Sequence, residues 1–231
     1  MIRNSAIRFP SPSASNRDLK SGAAAGNLEL IGASSRDFYD QHEGEESMLK
    51  KALTASFAVA LLANASAAQA LSLTSPDIKP GARIADEQVF NSFGCSGKNV
   101  SPALSWSGAP KGTKSFALSV YDPDAPTGSG FWHWVVFNIP ADVTSLPKGA
   151  GDPKSDAAPK GAVQSRTDFG VPGYGGPCPP KGDKPHHYHF TIFAVDTDKL
   201  DADENASAAF VGFNLHFHTL AKAELVGVWG H

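Results

Sequence analysis

The sequence predicts a mainly β, sandwich-like fold with one late helix, and three features point to it. Gly and Pro are plentiful, at 22 and 17 residues, while Met occurs twice; this composition favours turns and strands over long helices. Turn-forming clusters recur at short intervals from Lys79-Pro80-Gly81 to Gly170–Gly182, and the runs between them are short and apolar or alternating. A single stretch, Asn205 to Leu220, mixes Ala, Phe and Leu with His in a way that reads as helix. Several strands and one helix at the end of the chain make a two-layer β fold the natural way to bury the apolar faces.

The fold begins only after a long leader. Residues 1–47 are rich in Ser, Ala, Asn, Arg and Glu without a sustained apolar period; they read as disordered or as a mis-assigned, untranslated leader. At Met48 the chain starts afresh as MLKKALTASFAVALLANASAAQA. Lys50 and Lys51 form a positive n-region, Ala52–Leu62 an apolar stretch too short to span a bilayer, and Ala68-Gln69-Ala70 a small-x-small cleavage site. Met48–Ala70 is therefore expected to be a signal peptide. The mature protein is expected to be Leu71–His231, periplasmic or secreted, without a transmembrane segment. Residues 71–231 hold 13 Lys/Arg and 16 Asp/Glu. That balance speaks against a nucleic-acid binder or a polybasic membrane protein.

Within the mature segment the strands come in order. Lys114–Tyr121 places Phe116, Leu118 and Val120 on one face. Phe131–Ile139, FWHWVVFNI, is nearly continuous and aromatic, as a strand buried on both faces would be. Tyr188–Val195 is a third strand, and Leu225–Trp229 a last one with Trp229 in the core. Between them the helix Asn205–Leu220 is expected to be capped by Asp203 or Asn205.

Three segments carry chemistry. Asp122-Pro123-Asp124-Ala125-Pro126 follows a strand directly, and its prolines fix two carboxylates in a rigid turn. Trp132-His133-Trp134 puts an imidazole inside an apolar strand, where it needs a partner. The Gly128-Ser129-Gly130 loop lets Asp122 or Asp124 come beside it; a carboxylate there would raise the His133 pKa and leave a cationic donor. The third segment is Gly173–Gly182 with His186-His187-Tyr188-His189. Its glycines let backbone N–H groups approach an anion. Alternation puts His186 and Tyr188 on one face, with His187 and His189 on the other.

DPDAP, GSGFWHW and GYGGPCPPKGDKPHHYHF together resemble the bacterial, Raf-kinase-inhibitor-like branch of the phosphatidylethanolamine-binding family. Phe93–Pro102 and the tail His218–Leu225 are similar to the same branch, in the same order. The resemblance implies two antiparallel sheets packed as a sandwich, with short C-terminal helices. It also implies a small pocket for phosphate-like anions or a phospholipid head group. On that resemblance Asp122, Asp124, His133, His186 and Tyr188 are pocket residues and Pro123, Trp132, Gly175 and Pro177 its walls. A homodimer is implied in the same way.

No cofactor and no catalytic residue are expected. A GxSxG elbow is lacking and neither cysteine sits in a nucleophile motif. The competing metal reading of His186, His187 and His189 with Asp122, Asp124 and His133 is weakened because neighbouring strand residues point to opposite faces. A module that inhibits a protease or binds another protein partner would use the same loops. Cys95 and Cys178 are a candidate disulfide in an oxidising compartment.

Overall fold

Two antiparallel sheets arise from the short apolar runs between the turns. The computed structural model describes residues 70–231; the leader 1–47 and all but the last residue of Met48–Ala70 lie outside the described residues. Strands β1 (Ser72–Thr74), β2 (Leu104–Ser107) and β5 (Ser145–Leu146) make a small sheet in the order β1-β2-β5. Strands β3 (Ser115–Asp122), β4 (Phe131–Pro140), β6 (Val163–Gln164), β7 (His186–Val195) and β8 (Thr219–Trp229) make a larger one, ordered β6-β4-β3-β7-β8. The helix α1 spans Ala208–His218.

The larger sheet is buried on both faces at its centre. Phe116, Leu118, Val120, Trp134, Val136, Phe190 and Ile192 pack with Leu73, Leu104, Trp106 and Leu146 of the small sheet into one core. Ala117, Val135, Phe137 and Val195 face the other way and are covered by Leu200 and by Ala208, Val211 and Leu215 of α1. This explains the unbroken hydrophobicity of FWHWVVFNI: both faces of β4 lose water. Full burial of each such side chain is worth roughly 1.5–3 kcal/mol.

The end of the chain differs from the sequence expectation. One short helix, not several, is present among the described residues, and it starts later than Asn205. Its cap is Ser207, whose hydroxyl accepts the Phe210 N–H at 3.2 Å. The Asp203 carboxylate is not free to cap because it accepts the Asn205 N–H at 2.9 Å in the turn before. The last strand begins at Thr219, immediately after the helix, and not at Leu225. Its first half alternates half-buried with exposed positions. The small Ala221 and Ala223 on its inner face give too weak an apolar signal to read as a strand. No helix among the described residues is long and apolar enough to cross a membrane.

Candidate functional site

The site forms where β3, β4 and β7 end at one edge of the larger sheet. Asp122 closes β3, and its Oδ1 accepts the Asp124 N–H at 2.9 Å. This local turn, with Pro123 fixing φ, holds the carboxylate still. Its Oδ2 accepts from His186 Nδ1 at 2.7 Å and lies 4.0 Å from His133 Nε2. All three side chains are nearly sealed from solvent, at 4–5% exposure.

His133 reaches this point through an irregularity that its sequence hides. Val120 pairs with Trp134 and Tyr121 with Trp132, so His133 is the extra residue of a β-bulge. The bulge turns His133 onto the face of Trp134. There its ring stands edge-on to Tyr188 at 5.1 Å and to Phe169 at 5.4 Å. Trp132 is turned the other way, against the face that α1 covers. Its ring packs tilted against Tyr121, centroids 4.4 Å apart, so the structure does not bring it beside His133, Asp122 and Tyr188, where the resemblance implied a wall.

The glycine loop clasps His133. His133 Nδ1 donates to the Gly175 carbonyl at 2.8 Å, and the Gly175 N–H donates back to the His133 carbonyl at 2.9 Å. The Gly176 N–H donates to Asn99 Oδ1 at 2.7 Å, the Tyr174 N–H to the Gly151 carbonyl at 2.8 Å. These three amides are occupied, so they do not cradle a ligand as the glycine density suggested. The glycines serve close approach instead. A Cβ on Gly175 would run into the Phe169 ring, and one on Gly176 into the Gln88 carbonyl, with the Phe90 nitrogen at 2.7 Å. Gly176→Ala is expected to cost about 2 kcal/mol through overpacking, measured by urea denaturation. An unchanged midpoint would show that the Gln88–Phe90 turn yields freely.

Asp124 does not join the buried group. Its Oδ2 accepts the His187 N–H at 2.8 Å and pairs with His187 Nδ1 at 2.7 Å, with both side chains about half exposed. Burial opposes its charge, but the hydrogen bonds from His187 outweigh it and hold its carboxyl below the usual range. Pro123 is exposed beside it, whereas Pro177 is buried and its carbonyl accepts the Phe90 N–H at 3.1 Å. His189 turns to Glu224 at 3.0 Å. The three neighbouring histidines of β7 thus go to three separate carboxylates.

Electrostatically the buried group is a carboxylate between two imidazoles. Burial pushes the His133 pKa down, and the Gly175 carbonyl and Asp122 only partly offset it. The expectation of a raised pKa therefore fails: at 4.0 Å the carboxylate does not repay the lost hydration. With its proton on Nδ1, facing Gly175, neutral His133 presents a bare Nε2. Burial and the nearby Asp122 charge push the Tyr188 phenol up, so it stays an O–H donor. The Asp122 carboxylate is close enough to the hydroxyl to add to that rise, yet the buried hydroxyl makes no hydrogen bond of full geometry among the described residues. Three participants escape the sequence: Asn99, Phe169, and Asp183, whose Oδ2 lies 3.6 Å from His186 Nε2. Only Asp183 carried a readable cue, its i, i+3 spacing to His186.

Known proteins share this arrangement's scaffold. The family model described as phosphatidylethanolamine-binding protein matches residues 74–230. The chain is 52% identical over 179 residues to the UPF0098 protein YbcL of Escherichia coli, covering 78% of this chain and 98% of that one. It is 51% identical over 159 residues to YbhB of the same organism, covering 69% and 99%. The crystal structure of E. coli YbcL, described as a new member of the mammalian PEBP family, superimposes with a TM-score of 0.69 at 54% identity. That match covers 71% of this chain and 99% of YbcL. A putative phosphatidylethanolamine-binding protein homolog, CT736 from Chlamydia trachomatis, gives 0.59 at 32% identity, covering 70% and 98%. The chain belongs to the phosphatidylethanolamine-binding protein family.

Proposed function

We propose that the chain is an exported binding protein whose pocket takes a phosphate-bearing or other anionic group, such as a phosphoethanolamine head group, without a catalytic step. The observation that carries this reading is the Tyr188 hydroxyl: a buried donor that makes no well-formed hydrogen bond among the described residues, beside the ring of His133 and the Asp122–His186 pair. A buried polar group left unpaired costs roughly 1–3 kcal/mol, and an anion's oxygen would satisfy it. The same oxygen would draw a proton onto His133 Nε2 and turn it into a second donor. Asp183, partly exposed and 3.6 Å from His186 Nε2, would meet an ammonium group on the ligand.

Export rests on the Met48–Ala70 pattern. The Cys95–Cys178 disulfide supports it, since such bonds persist in oxidising compartments. The 179-residue match to YbcL, longer than the 74–230 family match, supports a protein that includes this segment. N-terminal sequencing of the exported protein should read from Leu71; a start before Met48 would defeat this part of the proposal.

Calorimetric titration of residues 71–231 with phosphoethanolamine should show saturable binding that His133→Ala abolishes and His187→Ala leaves largely intact. Equal losses in both variants, or no binding in the wild type, would move the function to a protein-interaction role for the same surface. The pH dependence has a definite sign. His133 is neutral in the free fold and is cationic with an anion bound, so one proton enters with each anion. Sulfate, which does not itself titrate near neutrality, should bind about tenfold more tightly per pH unit lowered between the His133 pKa of the complex and the lower one of the free fold. A flat profile would show that His133 stays neutral in the complex.

A further inference from the structure

A ledge of aromatic rings leads from His133 out onto the surface. Phe169 lies 5.4 Å from the His133 ring, 4.9 Å from Phe131, 4.6 Å from Phe90 and 6.0 Å from Phe93. Phe93, at the outer end, is 74% exposed and sits at φ 55, in the left-handed region that favours glycine. A phenyl ring in water on a disfavoured backbone combines two unfavourable features, which singles the position out for a role in binding. The loop that carries it is held down two residues later by Cys95–Cys178, and at Phe90 by the hydrogen bond to Pro177. The ring wall borders a groove of about 810 Å³ that starts at Gly175, the residue that clasps His133, and is flanked by Lys98 and Lys154. Neither lysine makes an ion pair among the described residues. The apolar ledge, with Lys98 and Lys154 and the single carboxylate Asp152 at its rim, thus adjoins the His133 site through Phe169 and Gly175.

We infer that this groove is the subsite for the organic part of the ligand, and that the ligand class is an aromatic phosphate monoester. The phosphate enters the His133–Tyr188 pocket, the aryl group stacks on Phe169 and Phe93, and the lysines favour negative charge on the ester's exposed side. The inference rests on the anion-pocket reading above. It is tested by titrating wild type and Phe93→Gly with inorganic phosphate and with 2-naphthyl phosphate. In the wild type the naphthyl ester should bind at least about tenfold more tightly than phosphate, the increment expected for burying part of an aromatic ring. Phe93→Gly should remove most of that advantage and leave phosphate affinity unchanged. Its melting temperature should not fall, because glycine prefers the φ that Phe93 is made to adopt. Equal affinity of the two probes in wild type, or an advantage that survives Phe93→Gly, overturns the subsite while leaving the pocket standing. Failure of both probes to bind wild type overturns the pocket and the subsite together.

Discussion

Replacing Cys95 and Cys178 by serine is expected to cost about 4 kcal/mol of stability, which lowers the melting temperature by roughly 10 °C for a domain of this size. The magnitude follows from the chain the bond closes: the two cysteines are 83 residues apart, with Cα atoms 6.0 Å apart in the fold. A cross-link over that distance removes much of the unfolded chain's freedom. The loss should appear without a new folded geometry. Three backbone-directed hydrogen bonds join the same loops: Phe90 N–H to Pro177, Gly176 N–H to Asn99, and Tyr174 hydroxyl to the Gln88 carbonyl. These remain when the sulfurs are parted. Thermal denaturation of wild type with and without reductant, beside the double serine variant, checks this. Coincident curves for all three would mean that the bond contributes nothing to the folded state's advantage.

The fold was legible in the sequence because its central strands obey simple rules. Phe116, Leu118 and Val120 alternate as β3 requires, and all three enter the core between the sheets. His186 and Tyr188 share a face of β7 by the same alternation, and both are buried, while His187 is exposed. The site was legible only in outline. The turn DPDAP brings its two carboxylates close in sequence, yet it sends Asp122 inward to His186 and Asp124 across to His187. In Trp132-His133-Trp134 the two indoles are interchangeable to a pattern. Which of them shares a face with the imidazole depends on a bulge that exists only once Tyr121 has chosen Trp132 as its partner. The roles of Asn99 and Phe169 come from contacts made across 77 and 36 residues, between Asn99 and Gly176 and between Phe169 and His133. Nothing local in either loop announces them.

The occupied amides also change what the pocket is. A glycine-rich loop reads as an anion cradle, but here the Gly175 N–H and carbonyl fix the position and tautomer of His133, while the Gly176 and Tyr174 N–H groups go to Asn99 and Gly151. With these three amides occupied, the donors the proposed pocket would offer are side chains, and that of His133 depends on protonation. Above the unfolded pKa of histidine, near 6.5, the neutral, buried His133 costs the fold nothing. As pH falls below that value the unfolded chain takes up a proton that the fold refuses, so stability declines until the folded pKa is passed. On the proposed reading, a bound anion would reverse this by admitting the proton to the folded state, which would link ligand binding and acid stability through a single ring.

Asp122 controls that linkage, and its removal should produce the other large effect. Asp122→Ala takes away the acceptor of two buried or half-buried donors, His186 Nδ1 and the Asp124 N–H. Leaving such groups without a partner is expected to cost about 3 kcal/mol by urea denaturation at neutral pH. Asp122→Asn should cost less, about 1–2 kcal/mol, because the amide oxygen can still accept from the Asp124 N–H while the His186 contact must reorganise. The asparagine variant separates charge from shape. Asp122 is the nearest negative charge to His133 and supports its cationic form against burial. Without that charge the His133 pKa must fall further, so the acid loss of stability begins at the same pH and continues lower. Nuclear magnetic resonance titration of the His133 ring should show the downward displacement directly, and sulfate should then bind only at lower pH than in the wild type. An upward displacement would mean that Asp122 does not act on His133 through space and that the Gly175 clasp alone governs the ring.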